Sequence, residues 1–175
     1  MDFASRCRSR TFEDLSTARV TILAPRTVIW LHTSADPSAA DWAAGIEKTM
    51  RLKAQLGVPE LRSLVVTDGG APNAPQRHEI SHRVFNGRPS KLAVITNTLT
   101  NPIKRGVATA ISWANPAFLA LPPERWREAF GHADLEGELD AVLAVLQELQ
   151  KDFPPVKTLV ELERAIARTR ADAQP

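Results

Sequence analysis

LVVTDGGAPNAPQRHEISHR, residues Leu64–Arg83, has the pattern of a buried strand, a tight turn and the start of a helix. The apolar and β-branched residues at its beginning predict the strand. Asp68-Gly69-Gly70 ends that strand. Asn73 is a good N-cap, and Gln76 three residues later completes a capping-box-like pair, so we expect a helix from Asn73 to Gly87. Strand–turn–helix units of this kind are the building blocks of α/β domains.

Similar units on both sides extend this pattern along the chain. The predicted strands are Val20–Leu23, Thr27–Leu31, Leu61–Thr67, Lys91–Thr96 and Phe118–Leu121. The predicted helices begin at Asp36, Asn73, Asn101 and Pro122. The first two strands form a hairpin, and the element order is β-β-α-β-α-β-α-β-α. Helices between successive strands are typical of parallel pairing, so the sequence predicts an α/β domain with a mixed, mostly parallel sheet.

The C-terminal part of the chain follows a different period. Its apolar residues have the a/d spacing of a coiled-coil seam and are Leu135, Leu139, Val142, Leu146, Leu149 and Phe153. Pro154-Pro155 interrupts the seam, and a second helix with the same spacing follows. Either both helices fold back over the sheet, or the 135–153 helix is an arm for homodimerisation or partner capture.

These patterns divide the chain into three parts. Residues 1–17 are polar and aperiodic, and we expect a flexible tail there. Residues 18–133 hold the α/β pattern, and residues 134–175 form a C-terminal helical extension of two helices broken at Pro154-Pro155. A length of 175 residues suits one well-cored domain with an appendage.

The composition narrows the class of protein. An apolar fraction of 43% and a charged fraction of 24% are ordinary for a soluble globular protein, and the longest apolar runs are strand-sized, so no membrane span is expected. The N-terminus lacks an apolar signal region and Cys7 is the only cysteine, which favours the reducing cytoplasm. The basic residues are scattered and no tyrosine accompanies them, so we expect no nucleic-acid partner.

His78-Glu79-Ile80-Ser81-His82 matches the H-E-x-x-H pentapeptide of zinc hydrolases, in which two imidazoles one helical turn apart bind Zn²⁺ and the glutamate activates water. Three features oppose this chemistry. No third ligand follows at the metzincin spacing, the histidines project away from the apolar face of their helix, and Arg77 and Arg83 flank them. We therefore predict no metal and no enzyme, and expect adventitious Zn²⁺ or Ni²⁺ binding by an exposed histidine pair.

The turn before this helix has its own chemistry. Gly69-Gly70 permits close backbone approach, and the following helix N-terminus presents unpaired N–H groups that suit an anion. The two glycine-rich phosphate-binding motifs are absent, however, and Asp68 would repel a phosphate. We predict a tight turn and no cofactor.

TDGGAPNAPQR (67–77), together with KLAVIT (91–96) and RGVATAISWANPAFLALPPERWREAF (105–130), resembles a bacterial STAS-like family, the SpoIIAA-like relatives of anti-sigma-factor antagonists. The resemblance runs from Arg19 to Asp134 and would make residues 18–133 a STAS-like domain. It implies a non-enzymatic signalling or scaffolding module that docks on a partner protein. Signalling members carry a phosphorylated serine in the turn after this strand. The stretch Asp68 to Asn73 has no serine or threonine, so we expect no such switch.

The function expected from these observations is protein–protein interaction. The predicted partner-binding residues lie in the turn and on the exposed face of the following helix: Asp68, Gly69, Gly70, Asn73, Gln76, Arg77, Glu79 and Arg83. One alternative is a small-ligand or lipid-binding module of STAS or SEC14-like type, with an apolar pocket under its helices. The other is a zinc hydrolase that uses His78, Glu79 and His82.

Overall fold

The computed structural model describes residues 13–23, 26–57, 60–69, 72–84, 91–114 and 117–173. Their strands form one six-stranded sheet in the order of the sequence. These strands are β1 Glu13–Asp14, β2 Ala18–Leu23, β3 Thr27–His32, β4 Arg62–Thr67, β5 Leu92–Thr96 and β6 Phe118–Leu121. The first three strands pair antiparallel, and β3 to β6 pair parallel. The predicted α/β class with a mixed, mostly parallel sheet is confirmed.

Six α-helices accompany this sheet in the described residues. They are α1 Ala39–Leu56, α2 Ala74–Glu79, α3 Pro102–Ala114, α4 Trp126–His132, α5 Leu139–Gln150 and α6 Lys157–Asp172. The chain continues from α2 into a π-helical turn, Ile80–Val84. Short 3-10 segments precede α3, α4 and α5 at Asn97–Thr100, Pro123–Arg125 and Glu136–Glu138. No helix among the described residues has the length and apolar character needed to cross a membrane.

Local capping signals set the starts of α1 and α2. Ser38 and Asp41 form a capping box at α1, which ends at Gly57 with a left-handed φ of 62°. Asn73 and Gln76 form the second capping box, at α2. The predicted end of that helix, Gly87, lies outside the described residues.

The sheet has a separate apolar cluster on each face. Right-handed crossovers that advance one strand at a time place their helices on the same face. That face holds α1 and the π turn, whose side chains pack with Val20, Val28 and Leu61. The opposite face is covered by α4, α5 and α6. The strand residues buried there alternate with those of the first face and are Leu23, Ile29, Leu31, Leu64, Val66, Ala93, Ile95 and Leu121.

The two C-terminal helices therefore cover one face of the sheet together with α4. Nine large aliphatic side chains between positions 135 and 166 are buried: Leu135, Val142, Val145, Leu146, Leu149, Val156, Leu159, Leu162 and Ile166. They belong to the same cluster as β3, β4 and β5. The 135–153 seam, predicted as a possible homodimer contact, packs against the domain's own sheet, and homodimerisation stays a prediction. Of the two roles that the sequence leaves open, these helices cover the sheet.

The predicted N-terminal tail also needs a correction. Glu13 and Asp14 pair with Val20 and Arg19 of β2, and Thr17 is buried. Residues 13–17 thus belong to the edge of the sheet, while residues 1–12 lie outside the described part of the chain.

Candidate functional site

The carboxyl ends of the parallel strands are where open α/β sheets usually bind ligands. In this protein Asp68, directly after β4, lies against the N-terminus of α6. Its carboxylate accepts hydrogen bonds from the backbone N–H groups of Lys157 (2.6 Å) and Thr158 (2.7 Å). The residue at the N-cap position, Val156, has no side chain that can do this. Asp68 is therefore the cap of a helix that is 89 residues away in sequence, and its role in partner binding stays a prediction.

Thr158 completes this junction between the sheet and α6. Its buried hydroxyl donates to the carbonyl oxygen of Thr67 (2.9 Å) and accepts from the backbone N–H of Asn97 (3.1 Å). One side chain thus joins the ends of β4 and β5 to α6. We call Asp68 and Thr158, with these bonds, the α6 junction. Neither Lys157 nor Thr158 is recognisable from the sequence, because their partners are distant in the chain.

His32, at the end of β3, is the buried titratable group of this edge. Its Nδ1 lies 2.7 Å from the carbonyl oxygen of Thr33, which requires the proton to be on Nδ1. Its Nε2 is buried without a hydrogen-bond partner among the described residues. Burial lowers the pKa of His32 below the usual 6.5, although the Thr33 hydrogen bond and the charges of Asp36, Asp41 and Asp68 act in the opposite direction. The imidazole is therefore neutral at pH 7.

The turn after β4 packs against the loop that contains Ser34. A Cβ atom on Gly69 would lie 3.0 Å from the carbonyl oxygen of Ser34, so two loops approach closely there. The Thr67 hydroxyl donates to the carbonyl oxygen of Gly69 (2.6 Å) and accepts from its N–H (3.1 Å). Gly70, also predicted to bind a partner, lies outside the described residues.

The other predicted partner-binding residues hold α2 in place. Asn73 and Gln76 each accept from the other's backbone N–H, at 3.0 and 2.8 Å. The Arg77 guanidinium donates to the carbonyl oxygen of Pro72 (2.7 Å). Arg83 binds the Glu79 carboxylate at 3.0 Å, and it also binds Glu47 of α1. The predicted set therefore consists largely of residues with partners inside the chain.

Side-chain burial contributes little to the stability of α2. None of its residues, Ala74 to Glu79, is buried. The π turn provides the anchor, because Val84 is buried and its carbonyl oxygen accepts from the buried Lys53 ammonium (2.7 Å). We define the α2 surface as the exposed residues of this segment, namely Asn73, Ala74, Pro75, His78, His82 and Arg83.

The zinc pentapeptide lies on the α2 surface. His78 and His82 are both exposed, and their ring centroids are 5.9 Å apart. Glu79, which would activate water in a hydrolase, is bound to Arg83. Within the described ranges, no group of three or more His, Cys, Asp or Glu residues is placed to hold a metal ion. The histidines thus offer two metal ligands, and a third protein ligand is missing from this part of the chain.

Two of the clefts on the described surface bear on the lipid-binding alternative. The larger, of about 510 Å³, lies at the carboxyl end of β5, and exposed Asn101, Lys104 and Glu124 contribute to its lining. The smaller, of about 250 Å³, lies between α5 and α6, where exposed Gln147 and Val160 contribute. Neither is the enclosed apolar pocket that the lipid-binding alternative predicts.

No family model, curated protein or solved structure matched this chain in comparisons with known proteins. The STAS-like resemblance therefore stays a prediction.

Proposed function

We propose that this chain is a cytoplasmic, non-enzymatic STAS-like module that acts by binding a partner protein through the α2 surface. The observation that carries the proposal is that α2 is a regular helix with none of its residues buried. The proposed partner is a folded protein with a polar face, because the α2 surface offers imidazoles, an amide and one arginine rather than an apolar groove.

The way in which α2 is stabilised supports this proposal. A helix of six residues is far below the length at which isolated helices form in water. This helix depends instead on the Asn73–Gln76 capping box, on Arg77 and on the Arg83 ion pairs with α1. Positioned loops and short segments that remain exposed are where binding residues concentrate.

The carboxyl edge of the sheet favours an interaction module over an enzyme. The α6 junction occupies the end of β4, so the carboxylate of Asp68 is committed to a structural role. Thr67 is buried and bonded to Gly69, which makes its hydroxyl a poor target for a kinase. These contacts agree with a module that lacks the family's usual phosphoserine switch.

A matched pair of substitutions tests the proposal. Ala74 and Ala167 are both exposed helical alanines, the first on the α2 surface and the second on α6. The wild-type full chain, Ala74→Arg and Ala167→Arg are each used to capture proteins from extracts of the cells that produce the chain. We expect a partner that binds the wild type and Ala167→Arg with equal yield and is lost with Ala74→Arg, while all three chains unfold at the same temperature.

Two results would oppose the proposal. Equal capture by Ala74→Arg and Ala167→Arg would move the contact away from the α2 surface. Turnover of a hydrolase substrate by purified chain, abolished by Glu79→Gln, would favour the zinc hydrolase alternative.

A further inference from the structure

We infer that His78 and His82 form a two-imidazole site for a divalent late transition-metal ion, and that Cu²⁺ binds there most tightly. This inference is independent of the proposed protein partner, because the ion needs only the two side chains. It also differs from hydrolase chemistry, since Glu79 neither binds the ion nor activates water.

The geometry suits chelation by both rings. His78 lies in the last turn of α2 and His82 in the π turn, four residues later, so both imidazoles are on the same side. A metal–nitrogen bond is about 2.0 Å long, so two rings that share an ion have centroids no more than about 6.5 Å apart. The observed separation is 5.9 Å, with the rings inclined at 72°. Both side chains are exposed, so they are free to rotate until one nitrogen of each ring faces a common ion.

The surrounding charges permit a cation at this position. The flanking arginines count against metal binding in the sequence, but both have partners in the structure. Arg83 lies between the carboxylates of Glu47 and Glu79, whose combined charge exceeds its own. Arg77 donates to the Pro72 carbonyl oxygen. Neither His78 nor His82 forms a hydrogen bond or an ion pair with another described residue, so no interaction must be broken to bind the ion.

The ligand type selects the metal. Imidazole nitrogen suits Cu²⁺, Ni²⁺ and Zn²⁺, and affinity in this series is highest for Cu²⁺. Mg²⁺ and Ca²⁺ require oxygen ligands and are not expected to bind. With two protein ligands the ion keeps further positions for water or for a group from another molecule.

The test is a Cu²⁺ titration of the untagged full chain, in which binding is measured by calorimetry and by electron paramagnetic resonance. Cys7→Ser is present in every protein, because a thiol also binds copper. The compared variants are His78→Gln, His82→Gln and, as a matched control, Glu148→Gln, which changes an exposed carboxylate of α5. Each histidine variant is expected to lose at least about tenfold in affinity, because the second imidazole then no longer binds within the same molecule. Glu148→Gln is expected to bind one Cu²⁺ as the parent does.

Unchanged Cu²⁺ affinity in His78→Gln and His82→Gln would overturn the site, and so would an equal loss in Glu148→Gln. Far-UV circular dichroism of each variant separates loss of a ligand from loss of the helix.

Discussion

The bond between Asp68 and α6 gives the sharpest stability prediction. Asp68→Ala removes the acceptor of two backbone N–H groups, those of Lys157 and Thr158, at the start of a 16-residue helix. Loss of an N-cap typically costs about 0.5–2 kcal/mol. Hydrogen bonds to a charged group contribute about 1.5–3 kcal/mol each, and partial solvent exposure of the carboxylate reduces that figure. We expect a loss of about 2 kcal/mol in the free energy of unfolding.

Urea and thermal unfolding of the full chain measure this loss. For a protein of this size, about 2 kcal/mol corresponds to a fall of roughly 4–8 °C in Tm. Asp36→Ala is the matched control, because Asp36 is an exposed carboxylate after the neighbouring strand β3 and forms no hydrogen bond among the described residues. The control is expected to change stability by no more than about 0.5 kcal/mol. If Asp68→Ala were as stable as Asp36→Ala, the α6 junction would not hold the helix.

Three further perturbations test other parts of the fold. Acidification from pH 7 to pH 5 is expected to destabilise the protein, because the pKa of His32 is lower in the folded chain than in the unfolded chain. The neutral imidazole contributes its full stabilisation above the unfolded pKa of about 6.5. This contribution is lost as the pH falls towards the folded pKa, since the unfolded chain takes up the proton first. His32→Gln should flatten this slope in urea titrations, and an unchanged slope would argue against a buried neutral imidazole. Leu146→Ala is expected to cost about 2–5 kcal/mol, since Leu146 is fully buried within one chain. Calorimetry should give the same loss at every protein concentration, whereas a concentration-dependent loss would indicate a seam between two chains. Gly69→Ala is expected to destabilise by about 1–3 kcal/mol through the contact of its Cβ with Ser34, and an unchanged urea midpoint would contradict this.

Much of the fold is predictable because its signals are local. The β-branched run Thr27–Leu31 and the run Phe118–Leu121 lie between turn residues, and β3 and β6 follow them almost residue for residue. The capping box of Asn73 and Gln76 is also predictable from the sequence, because both residues lie within one helical turn.

The position of the C-terminal helices is not a local property. The spacing from Leu135 to Phe153 fits a dimer seam and a helix on a sheet equally well. The strand order decides between them, because one-directional crossovers cover one face and leave Leu64 and Ile95 exposed on the other unless α4, α5 and α6 cover it.

The candidate site is harder to predict than the fold. Asp68 looks available in the sequence because its partners lie about 90 residues away. The engagement of Arg83 by Glu47 depends on how α1 packs beside the π turn, and no spacing rule predicts it. The histidine pair is readable from sequence, since its two members are four residues apart.

Truncation after Ala133 tests most directly whether the C-terminal helices belong to the core of the domain. Burial of one large aliphatic side chain contributes about 1.5–3 kcal/mol to the free energy of unfolding. The nine that are buried between Leu135 and Ile166 together contribute more than about 10 kcal/mol. That sum is comparable with the whole stability of a domain, about 5–15 kcal/mol. The truncated chain is therefore expected to show no cooperative urea transition by tryptophan fluorescence. A cooperative transition close to that of the full chain would contradict the assignment, because residues 13–133 would then fold without the helices that cover half of their sheet.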